Sequence, residues 1–283
     1  WLLHLHTGWA VMPLPPPTWH GHEMLYGFTV AVIAGFLLTA VQNWTGQRTP
    51  FGRPLAALWG LWLAGRIGLL LPGWPLVVVA LVDLAFLPVL AWVLWRRIRQ
   101  AQQGHNLPFL LILLVLTAAN GLIHLEWLGY TTATAGLGLH LATYAIIMML
   151  VLMGGRVIPS FTENRLQQPA RRRRWLEAGL PGLTALTLLA ALAAPHSHLT
   201  AILAALAAVA HGLRWLGWHH PAYWRVPLLW VLHLGYAWVV VGFGLLALSA
   251  AGVAAAHWST LHAFTVGGIG MLTLGMMARG ALG

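Results

Sequence analysis

The segment WHGHEM, Trp19 to Met24, holds two histidines two residues apart with a glutamate after the second, and it sits between the proline-rich run 13–17 and a long apolar stretch. Imidazole and carboxylate are proton-transfer groups and metal ligands. The chain has 15 histidines and no cysteine. Thiolate sites and disulfides are therefore excluded, and any metal must be held by histidine, methionine, carboxylate or a cofactor ring. On a helix, residues i and i+2 point roughly 200° apart. His20 and His22 therefore serve either two centres, or one centre plus a hydrogen bond with Glu23.

The elements that position these groups follow from composition. Of 283 residues, 59% are hydrophobic and only 7% charged, far below the charged fraction of about 25% in soluble domains. The net charge of +10 comes from arginine alone, but apolar stretches of bilayer length separate the arginines, which excludes a nucleic-acid-binding face. Spans of about 20 apolar residues are expected at His22–Gln42, Pro54–Leu71, Pro75–Trp95, Pro108–Trp127, Thr134–Val157, Trp175–Ala193, His198–Leu216, Val226–Ala250 and His257–Met277. The opening WLLHLHTGWAV reads as the tail of a helix already under way. The fold class is all-α: a polytopic transmembrane helical bundle of nine full spans plus an N-terminal partial span. It is read as one domain, 1–283, incomplete at both ends, with no linker longer than Ser160–Arg174. Proline opens several spans, where its missing N–H costs nothing, and Pro88 lies within the third.

The positive-inside rule orients the bundle. With the first full span running from outer to inner face, the inner loops hold every arginine except Arg66: Arg48, Arg53, Arg96, Arg97, Arg99, Arg156, Arg165, Arg171 to Arg174, Arg214, Arg225 and Arg279. The run Arg171–Arg174 reads as a topology determinant that contacts lipid headgroups. His105, His219 and His220 then fall in inner loops as solvated residues. His20, His22, His124, His140 and His262 share the outer half of the bilayer. His4 and His6 approach the same face, His196 and His198 sit at an outer turn, and His211 and His233 lie deeper. Ionisable groups inside a bilayer are costly and mark paired or functional positions, so five histidines on four helices at one level point to ligation.

Their neighbours fit that reading. Thr117, Asn120 and His124 form one helical stripe; His140, Tyr144 and Met148 form another; His233 and Tyr236 a third. Such stripes also serve as interhelical hydrogen-bond glue. Gly136, Gly138, Gly235, Gly267, Gly268 and Gly270 would leave room for something broad and flat. Asn120, Tyr144, Glu23 and Glu126 are candidate acceptors for the second ring N–H of a metal-bound histidine. Arg66, alone within its span, requires Asp83 on the next span, the anionic edge of a cofactor such as a haem propionate, or both at once.

Five blocks carry a resemblance: WHGHEMLYGFTVAVIAGFLLTAVQNWTG, LAGRIGLLLPGWPLVVVALVDLAFLPVLA, GGRVIPSFTENRL, PLLWVLHLGYAW and LHAFTVGGIGMLTLGMMARGALG. In this order, over almost the whole chain, they resemble the NnrS family of bacterial membrane proteins. The resemblance implies a multi-pass inner-membrane protein of about twelve spans in a full-length relative, containing haem and copper and linked to the response to nitric oxide. A fainter similarity joins His20, Gly21, Met24, Gly35, Phe36, Asn43 and Trp44 to a haem-copper oxidase helix whose first histidine binds haem, although the spacing to Asn43 and Trp44 is about one turn too long.

Haem iron and copper both accept imidazole. The candidate cofactor-binding residues are therefore His20, His22, His124, His140, His233, His262 and Arg66, with His20, His22, His140 and His262 as metal ligands. Two functions are expected. One is a haem or copper oxidoreductase that binds nitric oxide or another diatomic, with electrons from quinol or a soluble donor. The other is a non-catalytic haem or metal carrier or sensor. Membrane lipids are the expected surroundings and no nucleic acid is expected as a partner.

Overall fold

In hydrocarbon the backbone must satisfy its own N–H and C=O groups, so an apolar chain of this kind folds as helices. The computed structural model describes residues 15–70 and 73–282 and contains no strand among them. The helices are α1 (Pro16–Thr45), α2 (Arg53–Leu70), α3 (Leu76–Gln100), α4 (Leu107–Trp127), α5 (Thr134–Leu166), α6 (Arg174–Ala193), α7 (His198–Gly217), α8 (Pro227–Ala250) and α9 (Ala254–Ala281). Each expected full span coincides with one of them. Eight are long and apolar enough to cross a membrane, and α2 is the helix that is not among the eight. Its 18 residues include Arg53 and Arg66, and two arginines lower its apolar character. The stub with His4 and His6 lies outside the described residues.

The helix ends follow from local chemistry. Pro75 precedes α3 at φ −56° and Pro108 lies in the first turn of α4. The Ser197 hydroxyl accepts from the Thr200 N–H at the start of α7. Gly46, at φ 65°, closes α1 in the left-handed conformation that glycine adopts without strain. Glu126 Oε2 accepts from the Ala135 N–H at 2.6 Å, so this carboxylate caps α5 and does not orient a histidine.

The expected long linker is shorter. Helix α5 continues to Leu166, leaving residues 167–173 between helices. Polar residues hold this extension in place: the buried Thr162 hydroxyl donates to the Ile158 carbonyl, and Glu163 accepts from Ala170 N–H and from Arg172.

Two compact units divide the chain, 1–145 and 146–283. In the first, α3 packs against α1, α2 and α4; in the second, α8 packs against α7 and α9, and α6 against α7. Large apolar side chains stand exposed along these helices, including Leu81, Leu111, Leu189 and Val209. Acyl chains rather than water suit such faces.

Glycine does a different job from the one expected. A Cβ on Gly138 would meet the Ala119 carbonyl at 2.6 Å, and one on Gly235 would meet Leu272 at 2.8 Å. Gly267 is closed off by Trp238. These positions let backbones approach, as small residues do in membrane bundles. Only Gly136 of that group has nothing within 4 Å, as Gly268 touches Val239 and Gly270 the Thr265 carbonyl.

Candidate functional site

Among the described residues two helices contain π-helical segments, and each begins directly after a histidine: Glu23–Thr29 after His22 in α1, and Ala263–Gly270 after His262 in α9. Such segments concentrate at functional sites. The wider turn disturbs the i→i−4 ladder, and in α1 the Trp62 indole N–H reaches the Tyr26 and Gly27 carbonyls at 3.3 and 3.2 Å.

The turn at His22 feeds a buried polar cluster in the first unit. His22 and Glu23 come from α1, Arg66 from α2, Asp83 from α3, and Asn120 and His124 from α4. Arg66 Nη2 pairs with Asp83 Oδ1 and Nη1 lies 2.6 Å from Glu23 Oε1. The expected Arg66–Asp83 pair is therefore present, with Glu23 as a second partner. Glycine admits it: a Cβ on Gly65 would meet Asp83 Oδ1 at 2.9 Å, and one on Gly27 would meet Glu23 Oε2 at 2.9 Å.

Beyond the ion pair, Asp83 Oδ2 accepts from Asn120 Nδ2 at 2.8 Å and lies 2.8 Å from His124 Nε2 and 3.3 Å from His22 Nε2. His22 is fully buried, its Nδ1 is 3.0 Å from Glu23 Oε1, and its Nε2 is 2.9 Å from Asn120 Oδ1. Every polar neighbour of this imidazole is thus an acceptor. A neutral ring has one N–H and leaves a lone pair facing oxygen. Two carboxylates against one guanidinium also leave the cluster one negative charge in excess while both histidines are neutral. A second proton or a metal ion at His22 Nε2 removes both mismatches.

His22 Nε2, His124 Nε2 and Asp83 Oδ2 lie within 4.8 Å of one another, and among the described residues they are the one group of this kind suited to holding a metal ion. The Nδ1–H of His22 directed at Glu23 is the arrangement that fixes the tautomer of a metal-bound histidine. His124 stacks on Trp127 with ring centroids 5.2 Å apart, and its buried Nδ1 has no protein partner. The donor set fits an ion such as copper. It does not fit a porphyrin between the rings, because Asp83 Oδ2 already bridges them at hydrogen-bonding distance.

The other expected ligands lie elsewhere. His20, one residue before Gly21, is exposed, and His140 is half-buried; neither joins the cluster. His140 Nδ1 lies 2.8 Å from the Gly136 carbonyl, so it carries the proton and Nε2 keeps its lone pair. His233 and His262 belong to the second unit, where His262 is exposed and His233 buried. Asp83 as a partner of the histidines escaped the sequence reading, which assigned it only to Arg66; Asn120 and His124, one turn apart, were the signal that another polar group had to face them.

The second unit has its own buried network. Arg214 was expected in an inner loop; instead it is buried in the last turn of α7. Its Nη2 and Nε pair with Glu177, and Nη1 donates to the Val151 carbonyl at 2.9 Å and to Tyr236 Oη at 3.0 Å. The Thr184 hydroxyl donates to the Leu180 carbonyl and so accepts from His211 Nε2–H at 3.0 Å. His211 Nδ1 is then the acceptor for the Tyr236 hydroxyl at 2.8 Å. His233 repeats the device with Thr162, which donates to Ile158, but its Nδ1 has no protein partner. In the GGR block, Gly154 makes room for the Tyr236 ring and Gly155 for the Arg214 guanidinium.

Comparison with known families gives one match: the model described as NnrS protein matches residues 1–283. No curated protein and no solved structure matches the chain.

Proposed function

Because the chain belongs to the NnrS family over its whole length, we propose that it is a metal-binding protein of the bacterial inner membrane that serves the response to nitric oxide, with a metal ion at His22, Asp83 and His124. The observation that carries this reading is that His22 Nε2 faces two oxygens, Asn120 Oδ1 at 2.9 Å and Asp83 Oδ2 at 3.3 Å, while Glu23 accepts from Nδ1–H; a cation at Nε2 removes the mismatch. When bound, the metal supplies a coordination position for a diatomic and, if redox-active, an electron. The chain does the rest. Glu23 holds the proton of His22 on Nδ1, Arg66 fixes the rotamer of Asp83 through Oδ1, and Asn120 ties Asp83 to α4.

Haem and copper are the cofactors that the NnrS resemblance implies. Imidazole suits copper and iron alike, so the two rings of the cluster fit either ion. Haem would draw its imidazoles from outside the cluster: from His140, with Nε2 held ready by its bond to Gly136, and His20 in the first unit, or from His262 and His233 in the second. Quinol or a soluble donor would deliver electrons.

Metal analysis and an absorption spectrum of the detergent-purified protein test the reading, together with nitric oxide consumption over many turnovers. A metal lost on His124→Gln and sustained consumption support the enzyme. A metal present without turnover points to the carrier or sensor. Full metal content in His22→Gln, Asp83→Asn and His124→Gln proteins would sink the site.

A further inference from the structure

The donor set at the cluster is more specific than "a metal". Two imidazole nitrogens and one carboxylate oxygen form the triad found at non-haem ferrous iron. The carboxylate is held to one oxygen: Asp83 Oδ1 is taken by Arg66, leaving Oδ2 to face His22 and His124. Two donors about 2.1 Å from one ion are about 3.0–3.4 Å apart, and the edges meeting at Asp83 Oδ2, 2.8 and 3.3 Å, let both nitrogens share one ion with it. No sulfur ligand can bias the site toward a softer ion, since the chain has no cysteine and the cluster contains no methionine.

Resting on the metal reading above, we propose that His22 Nε2, His124 Nε2 and Asp83 Oδ2 occupy one face of a six-coordinate ferrous ion, with water on the opposite face, and that nitric oxide replaces one of those waters. Binding is coordination alone: water leaves, the nitrogen of nitric oxide takes its place, and no electron is needed from outside the iron–nitrosyl unit. Glu23 acts as a positioning residue. Its carboxylate accepts from His22 Nδ1–H at 3.0 Å, which aims Nε2 at the ion and raises its basicity.

The test uses the full chain in detergent, stripped with a chelator and reloaded anaerobically with ferrous, cupric or zinc ion in separate arms. Ferrous protein exposed to nitric oxide should give the spin-quartet electron paramagnetic resonance signal of a non-haem ferrous nitrosyl. His124→Gln and Asp83→Asn should abolish it, and His105→Gln, at an exposed residue outside every candidate site, should leave it intact. Glu23→Gln, which keeps the shape and removes the charge, should weaken ferrous binding about 10- to 100-fold. Should Asp83→Asn fail to fold, His22→Gln replaces it. Cupric or zinc ion held by these residues while ferrous ion is not would overturn the iron assignment and leave the metal site standing. No ion held through these residues in any arm would overturn both.

Discussion

His124 Nε2 lies 2.8 Å from Asp83 Oδ2, the same oxygen that accepts from Asn120 one turn earlier on α4. Asp83 thereby faces two masters: Oδ1 answers Arg66 and Oδ2 answers the histidines. Removing its charge affects both sides of the cluster at once.

Asp83→Ala leaves Arg66 with Glu23 alone, and breaking one partner of a buried pair costs about 3–5 kcal/mol. Thermal unfolding in detergent should show that loss. Removing all three charges in Glu23→Gln/Arg66→Met/Asp83→Leu should recover much of it, because no buried charge is then left without a partner. A triple variant no more stable than Asp83→Ala would contradict the pairing.

Glycine positions separate packing from free space. Gly65→Ala places a methyl 2.9 Å from Asp83 Oδ1 and 3.2 Å from its Cα, an overpacking worth about 1–3 kcal/mol. Gly35 on α1 has nothing within 4 Å, so Gly35→Ala should be neutral or stabilise by up to about 1 kcal/mol. Equal unfolding temperatures for the two variants would mean that α2 and α3 do not approach as described.

In the second unit, Tyr236→Phe removes one hydroxyl that serves His211 Nδ1 and Arg214 Nη1 together. Leaving buried polar groups unsatisfied should cost about 1–3 kcal/mol. Phenylalanine keeps the ring packed against Gly154, so the loss reads the hydrogen bonds and not a cavity. Stability unchanged within about 0.5 kcal/mol would show that the network contributes nothing.

Orientation is open to a direct check. Burial of Arg214 removes it from the topology signal, yet Arg171–Arg174 and the arginines ending α3 remain on one side of the expected spans. A reporter fused at Arg171 should behave as cytoplasmic, and export of that reporter would reverse the assignment of outer and inner halves.

Which features were legible in the sequence follows from what a bilayer penalises. The spans were readable because apolar runs of that length have few other uses. Arg66 and Asp83 were readable as a pair because each is a lone charge on neighbouring helices. The membership of the histidine cluster was harder. Depth along the membrane normal places His20, His22, His124 and His140 at one level but does not say which way each faces. The π turn after His22 also breaks the 3.6-residue period on which facing is judged. Gly138 was read as space although it is contact, since the sequence does not tell a glycine that admits a ligand from one that admits a neighbouring helix. Arg214 was counted as solvated because it lies near a span end, and only Glu177 and Tyr236 on other helices reveal its burial.

The central claim is that His22, Asp83 and His124 hold a metal ion, and the most direct measurement is the metal-to-protein ratio of the purified full chain beside its His124→Gln and His105→Gln forms. His124→Gln should lose one metal equivalent while retaining any haem absorbance, and His105→Gln, at an exposed residue, should keep that equivalent. An unchanged ratio in His124→Gln, in protein that unfolds at the parental temperature, would contradict it.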